Sequence, residues 1–110
     1  MDQGTAIEAF AALAQSTRMS IFRLLVRAGP ESLPVGEIGR QLDIVPSTLS
    51  GHLAILKRAG LVTAERHQRE IHYAADLNAV NDLIGFLLAD CCEGRFDNCS
   101  KILSLLKSPV

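Results

Sequence analysis

Three cysteines lie close together near the end of the chain, and their number and spacing suit a soft ion. Cys91, Cys92 and Cys99 fall within nine residues, and the 110-residue sequence has no other cysteine. Three thiolates suit a trivalent thiophilic ion such as As(III) or Sb(III), which takes three sulfur ligands in a pyramid. Zinc prefers four ligands, and no histidine follows His72 to complete a zinc set. We therefore expect residues 91–99 to bind trivalent arsenic, or antimony, and we expect no permanent cofactor.

Other roles for these thiols stay open. They could form a redox switch that closes a disulfide, with Arg95 stabilising a thiolate. The adjacent pair Cys91 and Cys92 could hold methylated arsenite through two sulfurs. The thiols could also be buried structural groups, although their sequence neighbours are polar. A carboxylate could complete a zinc set, and the candidates are Asp90, Glu93 and Asp97.

Helix geometry limits how the three thiols can meet. On a continuous helix, Cys92 and Cys99 would lie about 10 Å apart along the axis, which is too far for one ion to bridge. Either the chain folds back, with Gly94 as the pivot, or Cys99 comes from a second subunit.

The composition limits which protein classes can carry such a site. Residues 1–110 make up one domain's length of chain, with 48% apolar residues and a net charge of −1. Such a chain can bury a core but does not coat nucleic acid by bulk charge. An odd cysteine count excludes a closed disulfide framework within one chain. The sequence has no phosphate-binding loop, His-Glu-x-x-His motif or nucleophile elbow, so we expect no enzyme activity.

The sequence also bears on location and assembly. The longest strongly apolar run, Leu83–Ala89, is far shorter than the roughly 20 residues of a membrane span, and the N-terminus shows no leader pattern. We therefore expect a cytoplasmic protein with reduced thiols and no membrane partner. The mean hydropathy of +0.22 is high for a small monomer and favours a subunit interface.

Apolar spacing predicts a mainly helical chain with a small β-wing. Helices are predicted over residues 6–14, from Ser16 to Gly29-Pro30, over 35–42, over 46–59 and from Leu77 to about Cys92, with a short further helix over 102–107. The second helix is expected to take Ser16 as its N-cap and to bury Met19, Phe22, Leu25 and Val26. The fourth is expected to begin at Pro46, to bury Leu49, Leu53 and Leu56, and to stop at Gly60.

The order of these elements predicts a winged helix-turn-helix. Helices 35–42 and 46–59 are separated by the short turn Asp43-Ile44-Val45, which is typical of a helix-turn-helix. Residues 61–66 and 70–74 alternate around the polar triplet 67–69 and indicate a β-hairpin. Residues 31–34 are expected to form a loop. The predicted order is therefore α-α-α-α-β-β-α, mainly α with a β-wing.

Two segments of the chain resemble one family. Residues 14–18 (AQSTR) with 21–25 (IFRLL), and residues 49–62 (LSGHLAILKRAGLV), are similar to the second helix and the recognition helix of the ArsR/SmtB repressors. The likeness extends over about residues 6–88, but the Cys-x-Cys pair that many arsenic-sensing relatives carry before the turn is missing. The cysteine cluster resembles arsenite-responsive members with thiols after the last long helix. The resemblance implies a homodimeric repressor, dimerised by its first and last helices and released from operator DNA by its inducer, with a thiol-redox repressor as the alternative.

A basic surface is expected on the helix-turn-helix and the wing. Between Arg40 and His72 there are five Lys or Arg against three acidic residues, whereas the whole chain carries −1. The residues expected to contact double-stranded DNA are Ser47, Thr48, Ser50, His52, Lys57, Arg58, Arg66, His67 and Arg69. The alternative is that each is an ordinary solvated residue. Pro46 and Gly51 replace polar or basic residues of many relatives, which leaves fewer side chains to contact bases.

Overall fold

The computed structural model describes residues 1–89, and residues 90–110 lie outside the described part. The cysteine site and the short helix expected over 102–107 therefore lie beyond the described residues. The elements are α1 (Gln3–Leu13), α2 (Ser16–Ala28), a 3₁₀ turn (Gly29–Glu31), β1 (Leu33–Pro34), α3 (Val35–Leu42), α4 (Pro46–Arg58), β2 (Val62–His67), β3 (Glu70–Ala75) and α5 (Leu77–Leu87). This order confirms the predicted winged helix-turn-helix and adds one strand, β1.

Side-chain caps fix where three of the helices begin. The Asp2 carboxylate accepts the backbone N–H of Thr5 at 2.7 Å, which starts α1 and lowers the pKa of Asp2. Asp76 starts α5 in the same way. The expected cap at Ser16 is wrong: the N-cap of α2 is Gln15, whose Oε1 accepts the N–H of Arg18 at 2.8 Å, and Ser16 is already helical.

The core consists of buried side chains from all five helices, together with Leu61 and with Val62 at the start of β2. The predicted stripe of α4 is confirmed, because Leu49, Leu53 and Leu56 are fully buried. The predicted face of α2 is wrong in part, because Met19 and Val26 are each 41% exposed. Neighbours on several sides of α2 shift its buried arc, which consists of Ile21, Phe22, Leu24 and Leu25.

The helix-turn-helix has the predicted bounds, with backbone geometry that sets its tight turn. Asp43 ends α3 in the left-handed region with φ 54°, and the N–H of Ile44 donates to the carbonyl of Gly39 at 3.0 Å. Gly60 has φ 79° just after α4, which confirms the predicted stop. These two turns determine how α4 is connected to α3 before it and to β2 after it.

The sheet has three antiparallel strands in the order β1-β3-β2. The loop expected over 31–34 is wrong at its end, because Leu33 and Pro34 pair with Tyr73 and His72 of β3. Pairing of His67 with Glu70 leaves a two-residue loop in the hairpin. Its first residue, Gln68, has φ 59°, as a type II′ turn requires.

The last described helix is shorter than expected. α5 ends at Leu87 and not near Cys92, because Leu88 leaves helical geometry and the N–H of Ala89 donates to the carbonyl of Phe86, three residues back. Leu83 is the buried residue of α5, while Leu77 and Leu87 are 53% and 61% exposed.

Candidate nucleic-acid interface

The outward face of α4 consists mainly of small side chains. Because successive residues of a helix turn by about 100°, Ser47, Gly51 and Ala54 lie opposite the buried leucines, and all three are exposed. Arg58 lies on the same face in the last turn, and Ser50 lies beside it; both are exposed. The smooth surface over the first two turns permits close approach of the helix backbone to a partner.

The remaining polar residues of α4 lie on its two flanks and its last turn. Lys57 is on the same flank as Ser50, and Lys57 and Arg58 lie in the last turn, where a positive charge is favoured by the helix dipole. Thr48 is exposed on the opposite flank, next to half-buried His52. Ser50 and His52 therefore point in nearly opposite directions around the helix, and they cannot approach the same base.

His52 has a partner from outside the helix-turn-helix. The guanidinium of Arg18 in α2 places one NH group 3.5 Å from Nδ1 of His52. The Nε of Arg18 donates to the carbonyl of Ala12, in the last turn of α1, at 2.6 Å. Arg18 thus lies between α1 and α4, and no pattern within one element of the sequence indicates this contact.

The hairpin carries charges of both signs, arranged on different faces. Arg66 is exposed, and its Nε donates to the carbonyl of Gln68 at 3.2 Å, which holds the turn. Arg69 is the second loop residue and is exposed. These two side chains are the cations of the wing tip.

His67 lies on a different face of the wing from Arg66. Its ring stacks on that of His72 with centroids 4.3 Å apart. The Nε2 of His67 is 3.8 Å from Glu65, and that of His72 is 3.3 Å from Glu70. Two carboxylates therefore flank the two histidines, so this face offers a phosphate less positive charge than the arginines do.

A shallow groove between α3 and the wing brings charged residues of both elements together. It is lined by Arg40, Arg69, Glu37 and Glu70, among others. The side chain of Arg40 bonds Glu37, and this bond, together with one from Gln41, lowers the pKa of Glu37 to about 2. Glu37 thus offsets the charge of Arg40. The i,i+3 spacing of these two residues in the sequence is the pattern that predicts their pairing.

An apolar groove of about 440 Å³ lies between α1, α2 and α5. Phe10, Met19 and Val26 line it and are about 40% exposed, and Leu87 at its α5 end is 61% exposed. Ile7, three residues before Phe10 in α1, is 58% exposed. The helices expected to dimerise therefore carry exposed apolar side chains.

Within residues 1–89, no three His, Cys, Asp or Glu side chains are grouped as metal ligands. Over the same residues, no helix is both long enough and apolar enough to cross a membrane. The three histidines, His52, His67 and His72, were not expected to bind metal, and the arsenic site at Cys91, Cys92 and Cys99 lies outside the described part.

Comparison with known proteins identifies the class to which this arrangement belongs. Residues 13–65 match the model of a helix-turn-helix domain. The chain is 33% identical to YbzH, an HTH-type transcriptional regulator of Bacillus subtilis, over 74% of this chain and 93% of that protein. It is 31% identical to the transcriptional activator HlyU of Vibrio cholerae over 76% and 75% of the two chains. It is 30% identical to the transcriptional repressor SdpR of B. subtilis, over 80% of this chain and 94% of that protein.

Solved structures agree with the sequence relatives. HlyU from V. cholerae superposes with a TM-score of 0.65 at 30% identity, covering 84% of this chain and 99% of that chain. An ArsR-like transcriptional regulator from Rhodococcus sp. RHA1 has the same fold, with a TM-score of 0.72 at 23% identity over 97% and 96% of the chains. The chain therefore belongs to the helix-turn-helix transcriptional regulators, in the winged form with the ArsR-like fold, and it is a DNA-binding regulator and not an enzyme.

Proposed function

We propose that the protein is a homodimeric transcriptional repressor that leaves its operator when trivalent arsenic binds Cys91, Cys92 and Cys99. The observation that carries the proposal is the position of these cysteines. They begin four residues after the end of α5, a helix with exposed apolar side chains. An inducer bound there acts next to the expected dimer contact.

The exposed apolar side chains of α1 and α5 support the dimer. Phe10, Ile7 and Leu87 are between 40% and 61% exposed, and leaving such side chains in water is unfavourable. A second copy seated on both helices would cover them, and a stable interface buries on the order of 1,200–2,000 Å². Two copies would also present two α4 helices, which suits half-sites about one DNA turn apart.

The α4 and wing surface supports operator binding by both copies. Ser47, Ser50 and the exposed backbone around Gly51 face a groove of the duplex, while Arg58 and Arg69 meet phosphates. Among the relatives, SdpR is a repressor and HlyU is an activator. We favour repression because occupation of operator DNA by this surface blocks a promoter without any additional contact.

The inducer step is a ligand exchange without redox change. Arsenite, As(OH)₃, forms three As–S bonds with three cysteine thiols, and the three hydroxyl groups leave as three water molecules. Bringing three thiols onto one ion constrains residues 91–99 and therefore the chain that follows α5. A coupling of about 1–3 kcal/mol, or 5- to 150-fold in DNA affinity, is typical of such linkage.

The test is release of fluorescent DNA, followed by anisotropy. A duplex is first selected from a randomised pool of about 30 base pairs, which is long enough for two half-sites. Arsenite, antimonite, zinc, cadmium and peroxide are then titrated separately, the metals under reducing conditions. We expect arsenite and antimonite to release the DNA and the Cys91→Ser, Cys92→Ser and Cys99→Ser variants to lose the response. Ser100→Ala, adjacent to the cluster, is the matched control and should respond normally.

A thiol-redox repressor is the second candidate. A solved structure of HlyU from V. cholerae is described as reduced, so redox state is a property that has been distinguished in a related protein. This supports testing the effect of oxidation on the present protein. Release by peroxide with no response to arsenite would assign this second function and contradict the first. A Cys99→Ser variant that still responds to arsenite would indicate a two-sulfur site at Cys91 and Cys92.

A further inference from the structure

One arginine connects the recognition helix to the end of the first helix. The backbone N–H of Arg18 is capped by Gln15, which fixes the residue in the first turn of α2. Its Nε donates to the carbonyl of Ala12, 2.6 Å away, where the last turn of α1 leaves carbonyls without helical partners. The same guanidinium extends to Nδ1 of His52, 3.5 Å away. Both Arg18 and His52 are half-buried.

This contact determines which nitrogen of His52 carries hydrogen. A guanidinium has five N–H donors and no acceptor, so Nδ1 of His52 must supply a lone pair. In a neutral imidazole the hydrogen is then on Nε2, and the ring offers an N–H donor on the side away from Arg18.

We propose that Arg18 is a positioning residue that holds His52 as an Nε2–H donor for a phosphate of the DNA backbone. The proposal rests on the DNA-binding role of α4. His52 lies on the flank of α4 beside Thr48 and away from the small residues at the centre of the outward face. A side chain on the flank of a recognition helix meets the sugar-phosphate wall of the groove before it meets a base edge.

The first test is made on the protein without DNA. Long-range ¹H–¹⁵N NMR at about pH 8, where histidine is ordinarily neutral, distinguishes the two ring tautomers. We expect His52 to show a protonated Nε2 and an unprotonated Nδ1 in the wild type. Arg18→Met should shift both nitrogens toward the averaged pattern of an exposed histidine. Arg23→Met, an exposed arginine of the same helix, should leave them unchanged. Unchanged His52 nitrogens in Arg18→Met would overturn the proposal.

The second test measures affinity for the selected duplex and for a random duplex. His52→Gln keeps a donor near the position of Nε2 and should bind nearly as well as the wild type, whereas His52→Asn and His52→Ala should each lose about 2- to 10-fold on both duplexes. Because a neutral donor releases no counterion, these losses should leave the salt slope unchanged.

A double variant separates positioning from general destabilisation. Arg18→Met with His52→Ala should bind no more weakly than His52→Ala alone, since both changes remove the same contact. Additive losses would contradict the positioning role. If Arg18→Met does not fold, Arg18→Lys replaces it in both tests, because lysine keeps a cation for the carbonyl of Ala12. If the wild type binds neither duplex, the regulator role fails together with the phosphate contact, whereas the NMR result still decides the bond between Arg18 and His52.

Discussion

Replacing Gly51 by alanine should make the protein more stable and at the same time weaken its binding to DNA. A Cβ built on Gly51 meets no atom within 4 Å, and its φ is not in the left-handed region. The change therefore gains helix propensity without a clash, about 0.5–1 kcal/mol. For a domain of this size the gain corresponds to a rise in Tm of about 2–8 °C.

The effect on DNA has the opposite sign. Gly51 lies at the centre of the outward face of α4, between Ser47 and Ala54, where the backbone can approach the duplex closely. A methyl group forced into a packed contact costs about 1–3 kcal/mol, which is about 5- to 150-fold in Kd. Stability is measured by thermal unfolding at one protein concentration, and affinity by anisotropy on the selected duplex.

Gly85→Ala provides the matched control. Gly85 is also helical and exposed, a Cβ there also meets nothing within 4 Å, and the residue lies on the side of α5 opposite Leu83. We expect the same gain in Tm and unchanged DNA affinity. If Gly51→Ala is stabilised but binds DNA as tightly as the wild type, the outward face of α4 does not make the close contact with the duplex. If Gly85→Ala is stabilised and Gly51→Ala is not, the helix argument itself fails.

Three further predictions concern the charges and the tight turn. Arg69→Ala should weaken binding to all duplexes and reduce the salt slope by about one for each phosphate that the side chain neutralises. An unchanged slope would exclude the phosphate contact. At pH values above 4.5, the ordinary pKa of this carboxyl, Glu37→Gln should have a lower Tm than the wild type. Because the pKa of Glu37 is depressed to about 2 in the folded protein, this difference should fade as the pH falls toward about 2. A difference that grew at low pH would contradict the pairing with Arg40. Gly39→Ala should destabilise the protein by about 1–2 kcal/mol in urea unfolding, because its Cβ would lie 3.0 Å from the carbonyl of Ile44; wild-type stability would show that the turn can relax.

Local signals allowed the helix-turn-helix to be predicted with few errors. Pro46 marks the start of α4 and Gly60 its end, and the leucine spacing between them identifies the buried face. Each of these signals acts within one turn of helix and does not depend on the rest of the fold. The bounds of α3 and α4 were therefore available from the sequence.

Two of the errors arise where distant parts of the chain decide the outcome. Leu33 and Pro34 become a strand because β3, about forty residues later, supplies the partner. The buried arc of α2 depends on which elements surround it, so the exposure of Met19 and Val26 could not be inferred from spacing alone. A third error, the predicted length of α5, has a local cause. The apolar pattern continues to Leu88, whereas the helix ends at Leu87.

The candidate site shows the same division. The basic wing and the polar residues of α4 could be named from their types and positions. The contact between Arg18 and His52 joins residues 34 positions apart, and neither has a local partner that would indicate it. The stacking of His67 on His72 joins two strands and becomes apparent only once the register of the hairpin is known.

The short strand β1 has a mechanical consequence. It leads directly into α3 and pairs with β3 through Leu33 and Pro34, so the entrance to the helix-turn-helix is joined to the wing. We expect the hairpin and α3 to move together, because separating them would break the pairing of Leu33 and Pro34 with β3. In the proposed dimer, we therefore expect release from DNA to involve a change in the distance or angle between the two copies of α3 and its wing, and not a movement of one wing alone.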